Sequence, residues 1–88
     1  MPVQVHATPN PNARKFTLTE RRFAASHNLS SAESAAAHPP AGSLFALEGV
    51  YNVLLAQDFV TVNKRPDVAW EPLEAEILRV LNDWTGGA

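Results

Sequence analysis

The sequence predicts an α+β fold: a small two-layer sandwich, mainly antiparallel sheet, covered on one face by a broken helix and a C-terminal helix. Three observations predict it. Period-two alternation marks strands near the N-terminus, two β-rich runs lie two residues apart at 50–56 and 59–64, and an apolar stripe of helical period runs from Trp70 to Trp84. Strands with helices gathered on one face bury their apolar sides as two layers. The 88 residues make a single domain, 1–88, with no repeat and no linker dividing it. A chain of this size buries only about 60–65% of its unfolded surface, and its net stability is expected near 5–10 kcal/mol, at about the usual level for a small domain.

The elements follow in order. Val3, Val5 and Ala7 alternate with Gln4 and His6, a half-buried strand. Thr8-Pro9-Asn10-Pro11-Asn12 ends it: two prolines fix φ and remove two N–H donors, and the residue before each is pushed to extended backbone. A stiff loop is expected. Residues 15–19 alternate again, Phe16 and Leu18 facing in, Lys15 and Thr17 out. A third strand is weakly marked near Arg22–Ala25.

The segment that follows is rich in Ser and Ala. Ser30-x-x-Glu33 has capping-box spacing, Ala35-Ala36-Ala37 favours helix, and Pro39-Pro40 interrupts it. A second helix carrying Leu44, Phe45 and Leu47 restarts there and ends at Gly49. Local disorder across 30–43 is a rival reading, because Ala, Ser, Pro and Gly bury little. Val50–Ala56 and Phe59–Lys64 read as a hairpin around Gln57-Asp58, a turn without the usual Asn-Gly or Asp-Gly pair. Val60 and Val62 should share one face, Thr61 and Asn63 the other. In the last helix Trp70, Leu73, Ile77, Leu81 and Trp84 form the buried stripe, with Asp67 as a candidate cap and Gly86-Gly87 as the terminator.

Composition excludes several functions. Net charge is −2 with both signs scattered, and the basic pair Arg21-Arg22 follows Glu20. That is no nucleic-acid footprint and no polybasic membrane anchor. There is no cysteine, hence no disulfide, thiolate nucleophile or thiolate metal ligand in these residues. No basic n-region with an apolar run marks a signal peptide, and no stretch reaches the length of a membrane helix. A cytoplasmic location is expected. His6, His27 and His38 lack ligand spacing and read as surface residues. No nucleophile elbow or Gly-rich phosphate loop is present, so no catalytic residue is assigned and the chain is read as a non-enzyme.

The best candidate site is the stiff polar loop Thr8, Pro9, Asn10, Pro11 and Asn12 on its sheet. It reads equally as a partner-binding surface or as a turn whose side chains cap backbone groups. Lys15, Asp58, Asn63 and Lys64 are candidates to extend the surface. For Asp58 and Lys64, turn capping and a solvated edge charge are the competing readings.

Three segments together resemble the N-terminal domain of Nfu/NifU-like iron–sulfur cluster proteins. Thr8-Pro9-Asn10-Pro11-Asn12 with Lys15-Phe16 is similar to the family's TPNPN-x-x-KF opening. Leu44-Phe45, Gly49-Val50, Val53, and Asp58-Phe59-Val60-Thr61-Val62 with Lys64 resemble its central run and strand, and Trp70, Leu73 and Ile77 its last helix. The chain departs from the pattern at His38-Pro39-Pro40-Ala41, at Ala56 in place of a glycine and at Ala69 in place of an acid, which bears on the helix break and the turn. The resemblance implies an α+β fold and a place in iron–sulfur cluster assembly or delivery. It implies docking to a scaffold, a carrier, a recipient apoprotein, or a cysteine-bearing Nfu domain acting in trans, since the family's companion domain with its C-x-x-C ligands is absent from these residues. No cofactor is expected on the chain itself; association with a cluster would be indirect, through the partner. The alternative is an iron- or small-ligand-binding protein using His, Asp and Asn groups without thiolates. A third reading is peptide capture by strand addition at a sheet edge.

Overall fold

The computed structural model describes residues 3–18, 23, 25–38 and 40–84. Among the described residues, five strands, β1 (Gln4–Ala7), β2 (Ala13–Thr17), β3 (His27–Leu29), β4 (Val50–Ala56) and β5 (Phe59–Lys64), and three helices, α1 (Ala32–Ala35), α2 (Ala41–Phe45) and α3 (Trp70–Trp84), follow one another as β1-β2-β3-α1-α2-β4-β5-α3. The strands form one antiparallel sheet in the order β1-β2-β5-β4-β3. The expected two-layer α+β sandwich is what the chain forms.

The alternation of each strand decides the layers. Phe16 lies opposite Val60, which lies opposite Leu55; Val62 pairs with Val53, and Val53 with Leu29. Residues directly opposite share a face, so these side chains make one apolar surface. Leu73, Ile77 and Leu81 of α3, with Leu44 of α2, close over it in one core. Phe16, Leu44, Val53, Val60, Val62, Ile77 and Leu81 are fully buried. The opposite face carries Lys15, Thr17, Thr61, Asn63 and Asn52, as an antiparallel sheet with one wet side allows.

Several expectations shift. The third strand among the described residues is His27–Leu29; the strand expected near Arg22–Ala25 falls partly outside the described residues, and of that span Ala25 is in a bend. Leu29 supplies the buried side chain that makes the later segment the strand. The cap of α1 is Ser31, whose Oγ accepts the Ser34 N–H at 3.2 Å, so a simple hydroxyl cap stands one residue later than the expected Ser30-x-x-Glu33 box. Asp67 does not reach the α3 terminus but pairs with Arg65 at 3.4 Å. Trp70 is half-buried, not a core residue, and residues 86 and 87 lie outside those described. In the segment that had disorder as a rival reading, Ala35 and Ala41 are fully buried where α1 and α2 pack together.

The β4–β5 hairpin has the expected two-residue connection, and Gln57 adopts a positive φ of 49°. An L-residue there carries roughly 1–2 kcal/mol of strain, while glycine would lose some of that advantage through its freer unfolded chain. Gln57→Gly is therefore expected to raise stability by about 0.5–1 kcal/mol, read as a higher urea midpoint with unchanged slope. A lower midpoint would mean that the side chain, not the backbone, matters there.

Candidate functional site

The β1–β2 loop is built by its own side chains. The Thr8 hydroxyl lies 2.9 Å from the carbonyl oxygens of both Asn10 and Ala13, sharing its proton, and accepts the Asn10 N–H at 3.2 Å. Asn10 Oδ1 accepts the Asn12 N–H at 2.9 Å, an Asx turn. The Asn10 carbonyl also accepts the Ala13 N–H at 3.0 Å. Thr and Asn suit these positions because their short polar side chains bond the backbone N–H and C=O groups of a loop that has no strand partner there. The capping reading of the loop thus has a concrete set of bonds.

A second tier ties the loop to β5 and α3. The Lys64 N–H donates to the Asn12 carbonyl at 2.8 Å. The Lys64 ammonium donates to Asn12 Oδ1 at 3.0 Å and to the Arg65 carbonyl at 3.3 Å, and lies 5.7 Å from the Trp70 ring centre. Trp70 Nε1–H donates to the Pro11 carbonyl at 2.9 Å. The Arg14 guanidinium sits 5.0 Å from the centre of the same indole and pairs with Glu74. One tryptophan therefore faces two cations, and its N–H holds the loop. A cation over an indole contributes about 0.5–2 kcal/mol, more as water is excluded.

Lys64 corrects an expectation. It is not a solvated edge charge: it shares the inward parity of Val60 and Val62 and is 6% exposed. Two carbonyl-type oxygens and a π face satisfy the ammonium without a carboxylate. Asn63 faces the other side of the sheet, 3.5 Å from Asn52 Oδ1. Lys15 is on that open face too, 4.3 Å from the Phe59 ring centre. Asp58 lies at the hairpin turn, a strand's length from the loop, where its carbonyl accepts the Leu18 N–H at 2.6 Å. The structure therefore gathers Thr8–Asn12 with Lys64 at one end of the sheet, places Asn63 beside them on the reverse face, and separates Lys15 and Asp58 from the cluster.

Arg14, Trp70 and Glu74 belong to the cluster although the sequence reading put none of them there. Their separation of about sixty residues hides the contact. The available signal was the indole N–H, which needs an acceptor wherever Trp is partly buried. Among the described residues, no three His, Cys, Asp or Glu side chains gather as metal ligands. His27 and His38 stack at 4.1 Å between ring centres, and His6 lies opposite Lys15 on the open face. No helix is long and apolar enough to cross a membrane among the described residues. The cluster offers hydrogen-bonding groups on a stiff frame, with Pro9, Asn10 and Pro11 exposed at its tip.

Residues 3–86 match the family described as scaffold protein Nfu/NifU N terminal. The chain is 35% identical over 83 residues to NifU-like protein 5, mitochondrial, of Arabidopsis thaliana, covering 93% of this chain and 30% of that protein. It is 31% identical over 84 residues to the Drosophila persimilis protein named NFU1 iron-sulfur cluster scaffold homolog, mitochondrial, again covering 93% of this chain and 30% of the other. The chain thus spans about a third of the length of these curated relatives. Among solved structures, the solution structure of a NifU-like protein from Saccharomyces cerevisiae superposes with a TM-score of 0.81 at 26% identity, over 98% of this chain and 79% of that one. A crystal structure of a Staphylococcus aureus protein superposes with a TM-score of 0.76 at 28% identity, over 92% of this chain and 99% of that one.

Proposed function

The chain belongs to the Nfu/NifU scaffold N-terminal family, and from that membership we propose that it is a non-catalytic docking module in iron–sulfur cluster assembly or delivery. The partner would be a cluster scaffold, a carrier, a recipient apoprotein or a cysteine-bearing Nfu domain. The carrying observation is the clamped loop: Pro9, Asn10 and Pro11 are exposed, yet the backbone around them is held by Thr8, Asn10, Lys64 and Trp70. A surface already fixed in one conformation loses little entropy on docking. The cluster would sit on the partner's thiolates, because these residues contain none and soft sulfur ligands suit iron–sulfur clusters. The proposal keeps the cytoplasm as the compartment, while the curated relatives above carry mitochondrial names.

Titration of the wild type against purified cluster-assembly proteins tests this, with Asn10→Ala, Asn12→Ala and Lys15→Ala compared and melting curves run beside them. Loop variants should weaken binding roughly tenfold, equivalent to about 1.4 kcal/mol. Lys15→Ala should have a smaller effect, since its cation stands on the open face. If the loop variants melt earlier but keep wild-type affinity, the loop is only a structural turn and the docking surface lies elsewhere.

A further inference from the structure

Beside the loop cluster, α2, the turn into β4 and the start of α3 leave a shallow groove of about 370 Å³. Its walls are Ala46, Leu47, Val68, Pro72 and Leu73, with Glu48 and Glu76 at the rim. The groove depends on Gly49. That residue has φ +102°, and a Cβ there would lie 2.9 Å from both Val68 methyls. The absence of a side chain lets Val68 settle against the turn and form the apolar floor.

The rim is acidic. The Glu48 side chain is 91% exposed and that of Asp67 74%; Glu71 is also exposed in the first turn of α3. Two arginines oppose these charges. Arg65 pairs with Asp67 at 3.4 Å and reaches Glu48 only at 4.0 Å. Arg79 is bound by Glu76 at 2.6 Å, and that hydrogen bond, with the charge behind it, raises the guanidinium pKa above its ordinary value. Glu48, Asp67, Glu71 and Glu76 against Arg65 and Arg79 leave two negative charges. That equals the net charge of the entire chain, −2. By count along the sequence the other five acidic and five basic residues cancel, so this set of side chains carries an excess of two negative charges.

We propose that the groove docks a short segment of a partner protein in which apolar side chains are flanked by lysine or arginine. Apolar anchors would fill the space over Leu47, Val68 and Leu73, and the flanking cations would meet the carboxylate rim. Its volume is at the small end for ligand sites, and the floor offers apolar contact in place of convergent hydrogen-bond donors, which suits side-chain anchors. Charge complementarity then sets the preference and the encounter rate. This surface rests on the docking-module reading and gives it a recognition chemistry.

The experiment is an amide-shift titration of the ¹⁵N-labelled chain at about 50 mM salt, where rim charges are weakly screened. The probe is a capped Lys-Arg-Leu-Leu-Lys-Arg peptide, with Glu-Glu-Leu-Leu-Glu-Glu and Lys-Arg-Gly-Gly-Lys-Arg peptides as controls. Shifts should centre on Ala46, Leu47, Glu48, Val68 and Leu73, and both controls should bind more weakly. Glu48→Lys with Glu71→Lys, both on exposed positions, should weaken the probe roughly fivefold or more. Equal binding of the acidic peptide, shifts centred on the open sheet face, or an unchanged affinity in the double variant would each overturn the proposal. Concentration-dependent shifts at the groove without peptide would assign it to a second copy instead and overturn the partner assignment. The docking reading is judged separately. If cluster-assembly proteins bind the double variant as they bind wild type, and only loop variants lose them, docking stands and the groove fails. If those proteins do not bind at all, docking fails and the peptide titration still decides the groove.

Discussion

Truncation of Ile77 to alanine is expected to cost about 2–5 kcal/mol of folding stability. Ile77 is fully buried and sits at the centre of the α3 stripe, between Leu73 and Leu81. Its side chain belongs to the same core as Phe16, Val60 and Val62. Removing it forfeits the transfer free energy of the lost carbons and leaves a cavity that the surroundings close only in part. The sheet below is pinned by antiparallel pairing on both sides of β5, so its strands are poorly placed to collapse into the space. Against a total of about 5–10 kcal/mol for a small domain, the loss is large enough to populate unfolded chain near physiological temperature. A urea midpoint lowered with little change in slope would confirm it. An unchanged midpoint would show that the stripe of α3 is not packed on the sheet.

What could be read in the sequence was what repeats over short distances. Alternation around Phe16 and Leu18, the two runs flanking Gln57-Asp58, and the stripe from Leu73 to Leu81 are local patterns, and each element appears close to where its pattern places it. The pairing of β2 with β5 is a different matter: Lys15 meets Thr61 across more than forty residues, and no local signal names that partner. β3 went unmarked in the sequence because three residues are too few for alternation to show, and only the burial of Leu29 marks them.

The candidate site was half legible for a related reason. Thr8 and Asn10 cap groups within five residues of themselves, and their types announce that ability, whereas the Asn12 side chain accepts from distant Lys64. Their anchors in β5 and α3 are remote. Lys64 is the instructive residue, because its parity with Val60 and Val62 already pointed inward. Its charge suggested the opposite. Parity prevailed because the stem is apolar and the sheet ends beside Asn12, Arg65 and Trp70, which receive the ammonium.

That arrangement makes Lys64→Met the most informative change at the site, with an expected cost of about 2–4 kcal/mol. Methionine keeps an unbranched apolar stem, so packing beside Val62 is largely retained. The loss falls on the charge-assisted bonds to Asn12 Oδ1 and the Arg65 carbonyl, and on the cation over Trp70. An opposing effect exists: removing a buried charge relieves its desolvation, and buried ions replaced together with their partners are often neutral. Here only the donor is removed. Two oxygens built to face a cation are left against a thioether, and a one-sided deletion of this kind is the costly one. The effect should also be local. Amide exchange should quicken at Asn12 and Ala13, whose N–H groups close the loop, and at the Trp70 indole N–H that grips Pro11. Exchange at Leu55, in the middle of the sheet, should change only by the global loss of stability. If stability falls by less than about 0.5 kcal/mol, or if loop and sheet exchange quicken in parallel, Lys64 does not hold the loop, and the rigidity proposed for docking has another source.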